Sequence, residues 1–93
     1  MHHMNQKLKQ RELHRAKIIK GQMEGLIKGI ETEVYCTELL MQSLSIQRSL
    51  KSLDNFMLEN HLRSHVVEQI KSKDGQEKAV KELINIYTLA HKG

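Results

Sequence analysis

Proline and tryptophan are absent from this 93-residue chain, and aromatic residues make up 3% of it. With only five glycines as well, it lacks the turn residues and bulky inward side chains that hairpins and all-β folds require. No run approaches the roughly 18 consecutive apolar residues of a membrane span. No apolar secretory segment follows the start, so a cytoplasmic protein is expected. The single cysteine, Cys36, cannot form an internal disulfide. That fits a reducing compartment and leaves a free thiol or a metal ligand. Apolar residues, at 39%, are sparse material for burying a core in so short a chain.

What is present is positive charge in one place. Residues 1–20 carry Lys7, Lys9, Arg11, Arg15, Lys17 and Lys20 against Glu12 alone, while the remainder holds nine basic and ten acidic side chains. The whole formal excess of +4 therefore lies in the first segment. Concentrated positive charge is the footprint of a polyanion partner, and assembly of several copies would multiply it. A solvated basic helix face is the plainer alternative.

Apolar periodicity predicts a single all-α domain, residues 1–93, with residues 1–4 a flexible tail or a tag remnant ahead of Met4. The first helix is expected over about Asn5–Ile30, with Leu8, Leu13, Ile18 or Ile19, Met23, Leu26, Ile27 and Ile30 as its apolar positions. Gly21, Gly25 and Gly29 recur every four residues on one face and suit close approach of a neighbouring helix, at some cost in helix propensity. From Thr32 to Lys73 there is neither Gly nor Pro. One long helix is predicted there, starting near Glu33 or Val34, with Leu39, Ile46, Leu50, Leu53 and Met57 in a stripe that Leu58, Leu62, Val66 and Ile70 continue. A turn at Asp74-Gly75 should then lead into a short amphipathic helix carrying Ala79, Val80, Leu83, Ile84, Ile86, Tyr87 and Ala90. A helix of about forty residues is roughly 60 Å long. One small protomer cannot cover it, so an antiparallel dimer of long helices, or a tetramer, is expected.

Three residues offer metal chemistry. His61 and His65 are one helical turn apart and share a face. With the thiolate of Cys36 they form a set suited to Zn, Ni, Co or Cu rather than Mg or Ca. Two half-exposed helix histidines and a cysteine acting as a small hydrophobe would be the structural alternative. On a continuous helix Cys36 and His61 lie roughly 37 Å apart. They can share an ion only across two antiparallel copies, which would create two equivalent sites.

These residues resemble the CsoR/RcnR-like (FrmR-related) metal-sensitive transcriptional repressors. The stretch from His14 through Arg15, Lys17 and Lys20 to Gly21-Gln22 is similar to the family's basic first-helix signature. Tyr35-Cys36 with His61-Leu62-Arg63-Ser64-His65-Val66 is similar to its ligand pattern. The resemblance spans essentially the whole chain. It implies a three-helix protomer with a long central helix, an antiparallel dimer and a flat tetramer of two dimers. It also implies a repressor, not an enzyme, that holds operator DNA when free of effector and releases it when loaded.

Within that resemblance, copper sensors place Cys where His65 stands, and persulfide sensors place Cys where His61 stands. Formaldehyde sensors carry Pro after the initiating Met, where this chain has His2. Nickel- and cobalt-sensing members match best, with His3 (or, less well, His2) as a further ligand beside Cys36, His61 and His65. His14 is an alternative extra ligand, and His91 a surface residue. Copper- or formaldehyde-responsive members are the nearest alternatives, Zn(II) is a further possible ion, and a helical interaction protein without a sensing role is a more distant reading. Tyr35 and Glu82 resemble residues that couple ligation to the third helix, and Glu82 would fix the tautomer of a ligating imidazole. Glu59 and Asn60 border His61 and are lesser candidates. No helix-turn-helix is visible. Lys7, Lys9, Arg11, Arg15, Lys17 and Arg48 are the expected contacts to double-stranded operator DNA.

Overall fold

In the computed structural model residues 6–92 are described, and all regular structure among them is helical. The elements are α1 (Gln6–Glu31), α2 (Cys36–His61), a π-helical segment (Leu62–Val66), α3 (Val67–Gln69) and α4 (Lys73–Ala90). His61 and Val67, which flank the π segment, both have right-handed helical dihedrals. The helical backbone therefore runs without interruption from Cys36 to Gln69, giving three helical segments in all. The chain divides after Leu58 into two compact units. No helix among the described residues is long and apolar enough to cross a membrane.

In the first unit α1 and α2 form an antiparallel hairpin. Half-buried positions on α1 recur at alternating steps of four and three: Leu8, Glu12, Arg15, Ile19, Gln22 and Leu26, ending at the buried Gly29. On α2 the inward face is Leu39, Ser43, Ile46, Ser49, Leu53 and Phe56. The expected stripe is corrected here, because Leu50 and Met57 are exposed. Leu39, Ile46 and Leu53 keep their heptad places, and the companion inward positions fall three residues on, at Ser49 and Phe56, rather than four on, at Leu50 and Met57. The glycine ridge is used within the chain at one position only. A Cβ on Gly29 would lie 2.8 Å from Leu39 Cδ2, whereas one on Gly21 or Gly25 would meet nothing within 4 Å.

The long helix starts at Cys36 rather than at Glu33 or Val34, because α1 ends in a closed cap. The Val34 amide donates to the Gly29 carbonyl at 2.9 Å and the Glu33 amide to the Ile30 carbonyl at 3.2 Å. That pair of bonds is the Schellman arrangement, which places its pivot residue in the left-handed region. The pivot is Glu33, with φ 57°. An L side chain there costs about 1–2 kcal/mol. Part of that is offset in a glycine variant by the greater freedom of its unfolded chain. Glu33→Gly should therefore stabilise the fold by about 0.5–1 kcal/mol. A higher urea midpoint with an unchanged m value would show it.

In the second unit the turn falls at Ile70–Ser72, not at Asp74-Gly75. Ser72 is extended and its Oγ accepts from the Gly75 amide at 3.0 Å, so it caps α4 and draws Asp74 and Gly75 into the first helical turn. A serine cap with an acidic residue just inside it satisfies the exposed amides and the helix dipole better than a free turn would. The Gln76 amide group donates to the Ile70 carbonyl at 2.8 Å, closing the preceding helix end. Ala79 is the buried contact of α4.

Burial is slight throughout. Ile46 and Ala79 are the buried apolar residues among those described, and none has a fully buried side chain. Met23, Ile27 and Ile30 on α1, Leu40, Met41 and Leu44 on α2, and Val80, Ile84 and Tyr87 on α4 are exposed.

Candidate metal centre and nucleic-acid interface

The two histidines are brought together by the helix that carries them. His61 closes α2 and His65 lies in the π segment. Their ring centroids are 5.4 Å apart and the planes tilt by 35°. A π turn inside a helix exposes irregular backbone geometry, and such turns concentrate at functional sites. Glu82 reaches this pair from α4, its Oε2 lying 3.7 Å from His61 Nε2. At that distance the contact is an electrostatic approach rather than a formed hydrogen bond. The His61 side chain retains 20% of its accessible surface, which leaves room for a ligand to reach it.

Cys36 is the first residue of α2, and its thiol is free and exposed. The Tyr35 carbonyl accepts from the amides of Glu38 and Leu39, making Tyr35 the cap of that helix, while its side chain is exposed. Glu59 is engaged with Arg63 through an exposed ion pair at 3.1 Å. Pairs of that kind contribute little. His14 is exposed on α1. His91 is also exposed, but it stacks on Tyr87 at 4.1 Å and its Nδ1 lies 2.9 Å from the Tyr87 carbonyl. His2 and His3 lie outside the described residues. Among the described residues of one chain, no three His, Cys, Asp or Glu side chains form a group able to hold a metal ion. Two imidazoles one helical turn apart have the donor chemistry of ligands to a borderline metal ion.

The basic residues form a second constellation. Arg15 is half-buried, with Nη1 donating to Ser52 Oγ at 3.0 Å. Its guanidinium carbon lies 4.6 Å from the centroid of the Phe56 ring, and that of Arg11 lies 5.3 Å from the same ring. Arg15 and Arg48 line a groove of about 310 Å³ between α1 and α2, together with Ile18, Ile19, Ser49 and Ser52. Lys7, Lys9 and Lys17 are exposed on α1 and do not line it. Ser52 and Phe56 were absent from the sequence-based candidates. Their pairing follows from where the turn between α1 and α2 falls: with Glu33 as its pivot, residue 15 stands across from 52 and residue 11 across from 56.

Residues 8–88 match the family described as metal-sensitive transcriptional repressor. The chain is 33% identical over 87 residues to the copper-sensing transcriptional repressor CsoR of Bacillus subtilis, covering 94% of this chain and 85% of that protein. It is 31% identical over 77 residues to the protein of the same description from Mycobacterium bovis, covering 83% of this chain and 64% of the relative. The corresponding figures for Mycobacterium ulcerans are 32%, 83% and 65%. The chain thus spans slightly under two thirds of these mycobacterial relatives. An all-helical chain with a paired-imidazole face, a free thiol and a basic groove, matched along nearly its whole length, belongs to the CsoR-like metal-sensitive transcriptional repressors, gene regulators rather than enzymes.

Proposed function

We propose that this protein represses transcription by holding operator DNA in its metal-free form and releases it on taking up Ni(II) or Co(II). The site would join Cys36 of one copy to His61 and His65 of another, with His3 as a further donor. The carrying observation is the imidazole pair itself, at 5.4 Å centroid separation with a carboxylate beside one ring. Cys36 and His61 stand at opposite ends of one 26-residue helix, so the sulfur belonging to the pair is best supplied by a second chain. Exposed apolar residues on α1, α2 and α4 supply surface for such an assembly, an antiparallel dimer and a tetramer of two dimers.

The bound ion would supply bonds that tie two chains into one shape. Everything else is done by side chains of the protein. Glu82 beside His61 Nε2 favours the tautomer protonated there, so that the lone pair offered to a metal is that of Nδ1. Arg11, Arg15, Arg48, Lys7, Lys9 and Lys17 supply the positive face for phosphate. If the metal-loaded shape fits DNA less well, DNA must weaken metal binding by the same factor.

A copper-responsive reading is favoured by one finding, that the relatives at 31–33% identity are described as copper-sensing. The donor set argues for the harder ions, because one thiolate among imidazoles is a poor match to Cu(I). Fluorescence anisotropy on a duplex affinity-selected with the metal-free protein separates the readings when Ni(II), Co(II), Cu(I), Zn(II) and formaldehyde are added in turn. Ni(II) and Co(II) should lower DNA affinity by about 5- to 150-fold. Release by Cu(I) alone would transfer the assignment to copper, and release by formaldehyde alone would remove metal sensing altogether.

A further inference from the structure

We propose that Phe56 and Ser52 form a seat that pre-positions Arg15, with Arg11 beside it, for a backbone phosphate of duplex DNA. The inference rests on the reading of the α1–α2 face as the DNA interface and adds two residues of α2 that carry no charge.

Arg11 and Arg15 are one turn apart on α1, an arrangement in which like charges repel. Among the described residues neither Arg11 nor Arg15 forms an ion pair with a carboxylate. What they share instead is one ring. The guanidinium carbons lie 5.3 Å and 4.6 Å from the Phe56 centroid, within the range at which a ring face attracts a cation. Phe56 is the sole phenylalanine of the chain and is half-buried, so the hairpin holds the platform in place.

Ser52 completes the seat by accepting from Arg15 Nη1 at 3.0 Å. A serine hydroxyl that accepts one bond still has its own proton to donate, and it lines the groove with Arg15, Arg48 and Ser49. Neither neutral partner cancels the charge it holds. A carboxylate in their place would fix the guanidinium equally well and repel the phosphate. An arginine oriented beforehand loses less side-chain freedom on binding, and the remaining guanidinium donors suit a phosphate oxygen pair. Phe56 and Ser52 are therefore positioning residues, and the phosphate contact belongs to Arg15 and Arg11.

The test uses metal-free full-length protein and a short fluorescein-labelled duplex of random sequence, titrated at several salt concentrations. Phe56→Leu keeps apolar bulk but removes the ring. It should weaken binding about fivefold while the slope of log affinity against log salt stays unchanged, since no charge is lost. Phe56→Tyr should bind like the unmodified chain, which also answers any doubt about folding. In the Arg11→Ala/Arg15→Ala background, whose salt slope is itself reduced, Phe56→Leu should have no further effect. An equal loss in both backgrounds, or none in either, overturns the seat and leaves the interface standing. Absence of salt-dependent binding by the unmodified chain overturns the interface and the seat with it.

Discussion

Cys36→Ala should bind DNA as the metal-free parent does, yet fail to let go when Ni(II) or Co(II) is added. The thiol is exposed at the first position of α2, so its loss opens no cavity and leaves the basic groove between Arg15 and Arg48 untouched. Apo affinity is therefore expected within about twofold of the parent, as for other surface changes of up to about 0.5 kcal/mol. The metal response is another matter. His61 and His65 remain as a pair within each chain, able to hold an ion weakly, but nothing then ties that ion to a second copy. Coupling between the two ligands, typically about 1–3 kcal/mol or 5- to 150-fold, should disappear. Anisotropy of a labelled duplex with and without metal measures both quantities on one sample. Normal metal-induced release by the variant would show that Cys36 takes no part in sensing.

Gly75→Ala should destabilise the second unit by about 2–3 kcal/mol, the scale of overpacking against parts that cannot yield. Propensity alone argues the reverse, since alanine gains about 1 kcal/mol over glycine inside a helix. Geometry decides. A Cβ at this position would run into the Gln69 carbonyl oxygen, and it would sit 2.7 Å from Ser72 Oγ and 2.9 Å from the Gln69 carbonyl carbon. Two of those atoms are backbone and the third is the cap of α4, so relief requires opening the corner between α3 and α4. Because α4 also carries Glu82 to within 3.7 Å of His61, the variant should lose metal affinity along with its thermal stability. Gly21→Ala is the control: its Cβ meets nothing within 4 Å, and a gain of about 0.5–1 kcal/mol is expected. Urea melts of the two variants giving the same sign would contradict this account.

The helices themselves could be read from the residues because helix periodicity is local. The expected first helix, about Asn5–Ile30, lies within a residue of α1 where the two can be compared, and Leu8, Ile19 and Leu26 stand inward as spacing suggests. The errors fall at helix ends, where particular capping bonds outweigh what residue composition suggests. No glycine marks the end of α1, yet Glu33 takes the left-handed pivot because the two bonds from Glu33 and Val34 close the cap. Asp74-Gly75 has the composition of a turn, yet Ser72 captures the Gly75 amide and makes the pair the opening of α4.

From the amino-acid order alone came the all-α class, the concentration of positive charge at one end, and the proposal of Cys36, His61 and His65 as donors. These depend on residue type and on spacing along a single helix. The tertiary structure alone decided that Glu82 stands beside His61, that a π turn holds His65, and that Arg11 and Arg15 share the ring of Phe56. Those facts depend on which residues of different helices, or of an irregular turn, face each other. That register is set by the length and closure of the connections, a property no periodic pattern encodes.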